Sequence, residues 1–170
     1  EKRFTSLVPN ISRIKLVQEY SNGRLENLLS LVDCYSAYAV PASSVSDGTL
    51  RILAFLTALY DVSQPGLICF EEPENGIHPW LLNKLMELLK TVSTKGINGS
   101  QTQIIITTHS PVLLNFVEPK QIRAVELDDE GRTIINSLPF DTKRFQAAMD
   151  AYDGELGELW YTNLFGGNPV

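Results

Sequence analysis

What this chain of 170 residues lacks closes off several classes of protein at once. Cysteine occurs only at Cys34 and Cys69, too few for a disulfide framework and at no metal-binding spacing, which points to a reduced, cytoplasmic setting. No apolar run approaches the ~20 residues that cross a bilayer, and the opening EKRFTSLVPN has no signal-peptide plan, so no membrane partner is expected. Positive charge is short: 14 Lys and Arg against 20 Asp and Glu leave a net charge of -6 and a pI near 4.9. That balance argues against a broad basic surface for nucleic acid and leaves room only for a local patch. Position 1 is Glu, not Met, and a fragment is expected. The pattern GxxxxGK[ST] is absent too: neither Gly96 and Gly99 nor Gly154 and Gly157 lead into Lys-Ser or Lys-Thr.

What is present is the makeup of one globular domain, with 44% hydrophobic and 20% charged residues, able to bury roughly 70% of its unfolded surface. Its organising stretch is Gly66 to Trp80, GLICFEEPENGIHPW. Leu67 to Phe70 is a short apolar run bounded by Pro65-Gly66 and Pro73, which predicts a strand buried on both faces of a parallel sheet, with Cys69 a small core residue. Glu71 and Glu72 follow where the strand leaves the sheet, the place where open α/β sheets bind ligands. Adjacent carboxylates there can hold a divalent cation and polarise a water; as plain loop residues they would only be solvated.

Upstream, residues 1–31 are weakly patterned. ISRIKLVQEY lies between helix and strand periodicity, SNGR at Ser21 to Arg24 supplies a turn, and Arg24 to Val32 reads as a short helix or as a hairpin's second arm. Cys34 to Val45 reads as a strand followed by a loop. The loop ends in Ser46-Asp47-Gly48-Thr49, where a helix starts with Ser46 or Asp47 as N-cap; apolar residues all round it predict a largely buried helix. Such a start, with a hydroxyl and unpaired amides, suits an anion as well as a plain cap, and Gly48 would let backbone come close to a ligand.

Downstream, Pro79 opens an amphipathic helix with a stripe of Leu81, Leu82, Leu85, Leu88 and Leu89. Lys95 to Gln101 is a polar loop, and Gln103 to Thr107 a second buried strand ending in Thr107, Thr108, His109 and Ser110. Pro111 starts a short helix through Phe116. Ile122 to Leu127 and Thr133 to Leu138 read as an antiparallel pair about the DDEGR turn, and Asp141 to Ala151 and Glu155 to Leu164 as helices before the terminating FGGNPV. Trp80, Trp160, Tyr161 and Phe165 read as core. Strand, helix, strand, helix, strand predicts an α/β fold with parallel pairing and right-handed crossovers.

Taken in order, these motifs resemble those of ABC-type ATPases. VSDGT with Leu50-Arg51 resembles the signature motif LSGGQ, and ICFEEPE the Walker B strand with its catalytic Glu. ENGIHP stands where the family has its D-loop, and IIITTHS resembles the switch-histidine loop. SDGTLR, EEPENGIHP, TTHSP and GELWYTNLFGGNP are similar to the bacterial predicted ATPases of the RecF, SMC and Rad50 type, including phage-defence and overcoming-lysogenisation-defect-like ATPases. The resemblance covers residues 40 to 170. It implies a P-loop NTPase-like α/β fold, a mainly parallel sheet flanked by helices, of which this chain is the C-terminal lobe.

The same resemblance implies ATP and Mg²⁺ as the complete protein's cofactors. Ser46, Asp47, Gly48 and Thr49 would meet the γ-phosphate of ATP held by the opposite subunit. Glu71 stands at the Mg²⁺ position, Glu72 at the general base that activates water, and His109 at the switch that senses the γ-phosphate. Asn75, with Gly76 and Ile77, falls in the loop that couples two sites across a dimer. Phosphoryl transfer needs charge neutralisation and a placed water more than covalent chemistry, which suits these residue types. The expected organisation is a β/α segment over 1–40, signature and helix over 41–60, the Walker B, D-loop and switch core over 66–127, and a hairpin with helices over 128–170.

Departures from the pattern matter. Glu71 replaces the usual Asp, and Asp47 replaces a signature Gly, bringing a negative charge that must cap the helix or meet Arg51 one turn on. Without the Walker A loop, ATP lacks its main seat, so the chain by itself is expected not to hydrolyse it. The partners implied are a second copy or the N-terminal half of the head, with DNA or an effector nuclease subunit beyond them, in DNA repair or phage defence. Two other readings stand beside this one. The first is a non-catalytic interaction module that kept the ATPase fold. The second is a metallohydrolase using Glu71, Glu72, Glu74, His78 and His109, although Glu74 and His78 are separated by a turn instead of sharing a helix.

Overall fold

The computed structural model describes residues 1–21, 23–61, 66–97 and 100–166. Asn22 in the expected SNGR turn, Pro65 before the first parallel strand, Asn98 and Gly99 in the polar loop, and Gly167 to Val170 of the terminator lie outside the described residues. The chain forms two compact units, Glu1–Thr107 and Thr108–Val170.

The first unit opens with α1 (Lys2–Leu7), followed by β1 (Ile11–Ser21) and β2 (Arg24–Asp33), which pair as a long antiparallel hairpin; β3 (Ala39–Pro41) adds antiparallel to β2. Arg24 to Val32 is therefore the second arm of a hairpin. Its pattern is ambiguous because only the base of the hairpin has a core to face: Leu31 is fully buried, while Leu16 and Tyr20 are 75% and 79% exposed. Cys34 to Ser36 is a turn and not the expected strand. The Asp33 carboxylate accepts the backbone amides of Ser36 (2.7 Å) and Tyr35 (3.0 Å) and the Ser36 hydroxyl (2.8 Å), closing that turn.

A short 3₁₀ turn (Ala42–Ser44) leads into α2 (Asp47–Leu59), capped by Ser46 as expected. The helix is not buried all round. Ile52, Leu56 and Leu59 form one buried stripe, and Arg51, Ala54 and Thr57 face water. Phe55 meets Phe70 edge-on at 4.8 Å between ring centroids, tying α2 to β4 (Leu67–Glu71).

β4 and β5 (Gln103–Thr107) pair in parallel from Leu67↔Gln103 to Glu71↔Thr107, joined through α3 (Pro79–Lys95). Pro79 sits in the first turn of α3, and Leu82, Leu85, Met86, Leu89 and Val92 are its buried stripe. The two strands depart from expectation in burial. Phe70 is buried, but Leu67 is 48% and Ile105 46% exposed, and Cys69 is exposed and not a core residue. Successive side chains of a strand point to opposite faces. Here one face is packed, and Leu67, Cys69 and Ile105 on the other are exposed among the described residues.

The second unit holds α4 (Pro111–Leu114), a 3₁₀ turn (Pro119–Gln121), the antiparallel pair β6 (Arg123–Leu127) and β7 (Thr133–Ser137), α5 (Lys143–Ala151) and α6 (Leu156–Tyr161). Ala124, Leu138, Phe145, Leu156 and Leu159 are its core, with Phe165 packed against it. Of the aromatics read as core, Trp80 and Tyr161 are instead 54% and 66% exposed. The β6–β7 turn is closed by the Asp128 carboxylate, which accepts the Arg132 amide (2.8 Å) and the Arg132 Nε (2.8 Å). That tight turn gives β6 an antiparallel neighbour, so among the described residues parallel pairing is confined to β4 and β5. No described helix is long and apolar enough to cross a membrane.

Candidate functional site at the exit of β4

β4 ends on Glu71, whose side chain is exposed. The next residue, Glu72, leaves the sheet with a left-handed backbone, φ 41°. A side chain in that region costs roughly 1–2 kcal/mol, so neighbouring groups must fix it. They do so from several directions. The Glu72 amide donates to the Thr107 carbonyl at 2.9 Å, tying it to the end of β5. Its own carbonyl accepts the Asn75 amide at 3.1 Å and Arg51 Nη1, from α2, at 3.5 Å. Its carboxylate accepts the side-chain amide of Asn75. Pro73 is fully buried behind it, as expected of a residue that constrains the chain's exit.

The turn continues through Gly76, also left-handed at φ 73°, to Ile77, which is buried and donates to the Glu74 carbonyl at 3.0 Å. His78 Nδ1 accepts the Trp80 amide at 3.2 Å and so caps α3. EEPENGIHP is thus one built turn from strand to helix.

The start of α2 packs on that turn. Ser46 Oγ accepts the Thr49 amide at 3.4 Å and lies 2.9 Å from the Thr49 hydroxyl. Gly48 is buried, and a Cβ there would stand 2.1 Å from the Gly76 carbonyl oxygen. The absence of a side chain at Gly48 therefore serves contact with the turn. Asp47 lies exposed in the first helical turn, where a negative charge suits the helix dipole. Together with Leu50, Arg51 and Ala54 it lines a shallow hollow of about 340 Å³. Arg51 is a contact that sequence reading missed: of the two expectations for Asp47, capping the helix or meeting Arg51, the second is not what forms, and the Arg51 guanidinium reaches the Glu72 carbonyl. Its place one turn into the helix was legible, but its destination depends on a segment 21 residues on.

Ser46, Gly48, Thr49, Arg51, Glu72 and Asn75 are therefore brought together, with Glu71 adjacent in the chain. His109 belongs to the second unit, where it is exposed; beside it the Ser110 amide donates to Thr108 Oγ1 at 2.9 Å. Among the described residues no group of three or more His, Cys, Asp and Glu could hold a metal ion, so the metallohydrolase reading has no ligand set, and His78 acts as a cap. Mg²⁺ makes a smaller demand, since it keeps waters and needs one or two carboxylates beside substrate phosphates. Glu71 and Glu72 at the strand exit fit that demand.

The family model described as "AAA domain, putative AbiEii toxin, Type IV TA system" matches residues 10–115, more than half the chain. The chain belongs to this AAA-domain family. This AAA domain is 32% identical over 120 residues to Protein ea59 of Escherichia phage lambda, a match that spans 70% of the chain and 22% of that protein. The chain thus corresponds to about a fifth of the curated relative. Among solved structures it is similar to an SMC ATPase described under ATP-driven dimerization and DNA stimulated activation, with a TM-score of 0.61 at 18% identity, covering 89% of this chain and 85% of that one. It is also similar to an SmcHead bound to the C-winged helix domain of ScpA, with a TM-score of 0.55 at 19% identity, covering 81% of this chain and 41% of that one. At such identities the likeness shows the fold, that of SMC ATPase heads. The expected membership of the AAA family holds, and the fold shared with SMC ATPase heads bears out the α/β, P-loop NTPase-like class.

Proposed function

We propose that this AAA domain is the C-terminal lobe of an ATP-hydrolysing head that closes as a dimer around ATP and reopens on hydrolysis. The observation that carries the reading is the packing of the Ser46–Thr49 helix start on the Glu72–Gly76 turn, through Gly48 against the Gly76 carbonyl and Arg51 to the Glu72 carbonyl. It joins the group that would sense nucleotide to the group that would activate water. A match that spans 22% of Protein ea59 supports a lobe within a longer protein.

In this reading Ser46 and the amides behind it contact the γ-phosphate of nucleotide held by the opposite subunit. A helix start suits that task because its free amides and dipole favour an anion. Glu72 accepts the proton of the attacking water, and His109 hydrogen-bonds the γ-phosphate and reports its loss. Glu71 would hold Mg²⁺, which when bound would supply charge neutralisation at the phosphates. Asn75, Gly76 and Ile77 couple the paired sites. The phosphate loop comes from the other half of the head, so the chain by itself does not turn over ATP. The switch acts in the cytoplasm on DNA or an effector nuclease subunit, in DNA repair or phage defence, and the net charge of -6 favours DNA contact through another part of the protein.

The test is Glu72→Gln in the complete protein. Turnover should disappear while ATP-dependent dimerisation, followed by size-exclusion chromatography with light scattering, persists. Normal turnover in that variant would remove Glu72 from the role of base.

A further inference from the structure

We infer that Asn75 is a positioning residue for Glu72, holding the carboxylate in the orientation in which it meets water. The inference rests on the reading of Glu72 as the base. The Asn75 side-chain amide donates to Glu72 Oε2, and the Asn75 backbone amide donates to the Glu72 carbonyl at 3.1 Å. The two residues are therefore joined twice, once through the main chain of the turn and once through their side chains. The main-chain bond fixes where the Asn75 side chain starts. The side-chain bond then removes the rotational freedom of a glutamate, which is otherwise among the more mobile side chains.

The backbone beneath is fixed independently. The Glu72 amide is held by Thr107 at 2.9 Å, its carbonyl is reached by Arg51, and its left-handed φ of 41° persists under these constraints. A neutral amide suits this task. It orients the anion by hydrogen bonding without a full positive charge, whereas a Lys or Arg in its place would stabilise the carboxylate further and weaken it more as a base. Asn75 itself is exposed on the turn, so its side chain is not needed to fill a core.

The experiment compares Asn75→Ala, Asn75→Asp and Glu72→Gln in the complete ATPase, reading kcat, KM for ATP and the unfolding midpoint of each. Asn75→Ala should lower kcat roughly tenfold to a hundredfold with KM unchanged, as a misplaced catalytic group does. Asn75→Asp keeps the shape and replaces the donor with a second carboxylate, so its kcat should fall at least as far, at an unchanged midpoint. Wild-type kcat in Asn75→Asp would overturn the inference, since shape alone would then suffice. A raised KM at unchanged kcat would overturn it also, by making Asn75 a nucleotide contact. Loss of kcat that tracks a falling midpoint would overturn it as a purely structural effect. Glu72→Gln separates the two layers: retained turnover there sinks the base assignment and the inference with it, whereas lost turnover beside an active Asn75→Asp sinks the inference alone.

Discussion

Gly48→Ala probes the contact on which the site is built. A methyl group at Gly48 would arrive 2.1 Å from the Gly76 carbonyl oxygen and 3.5 Å from Ile77 Cα. Ordinary contact begins near 3.4 Å, so α2 and the turn must separate by more than an ångström. The obstacle is backbone on both sides, and no side chain can rotate away. In a helix free of such contacts, Gly→Ala gains about 1 kcal/mol. Forcing extra volume into a packed site costs about 1–3 kcal/mol, and a backbone obstacle belongs at the top of that range. The balance is a loss of about 2 kcal/mol, which in a chain of this size lowers the melting temperature by roughly 4–8 °C. Thermal unfolding followed by circular dichroism measures it. Gly66→Ala is the control: among the described residues, beyond its chain neighbours, no atom lies within 4 Å of a Cβ there, so its midpoint should not fall. A Gly48→Ala protein that melts with the wild type would refute the close packing of α2 on the Glu72 turn, and with it the support that packing lends the proposed function.

Two further predictions concern the Asp33 turn and the cysteines. The Ser36 amide and hydroxyl, with the Tyr35 amide, hold the Asp33 carboxyl below its ordinary value of 3.8. A carboxyl lowered on folding contributes stability that is present above its unfolded value and is lost as pH falls through the folded one. An NMR titration should therefore give Asp33 a midpoint under 3.8, with the Cys34–Ser36 turn loosening in that acid range and not before it. Cys34 and Cys69, both exposed thiols, should each react with a maleimide in the native chain; a Cys69 that reacts only after denaturation would contradict the open face of β4.

The order of elements was legible because it rests on local chemistry. Ser46 caps α2, Pro79 opens α3, Gln103–Thr107 forms β5, and Asp128 to Arg132 turns β6 into β7, all through interactions within a few residues. The motif residues at the β4 exit were legible for the same reason, since Glu72 and Asn75 share one turn. What was not legible depends on what lies opposite. Leu67, Cys69 and Ile105 look like core in a list of apolar residues, and only a covering layer decides whether they are. The β1–β2 hairpin hides its period because its outer half faces water on both sides. Arg51 could have turned to Asp47 or to Glu72, and the choice is tertiary.

The left-handed backbone at Glu72 sets folding and chemistry against each other at a single position. Glycine there would relieve roughly 1–2 kcal/mol of steric conflict, so a more stable protein is one substitution away and would have no carboxylate to offer. If Glu72 is the base proposed above, retaining glutamate makes sense only while selection acts on turnover. Homologues that have become inert scaffolds should drift towards glycine or asparagine at this site, so one column of a future alignment would sort working members of the family from retired ones.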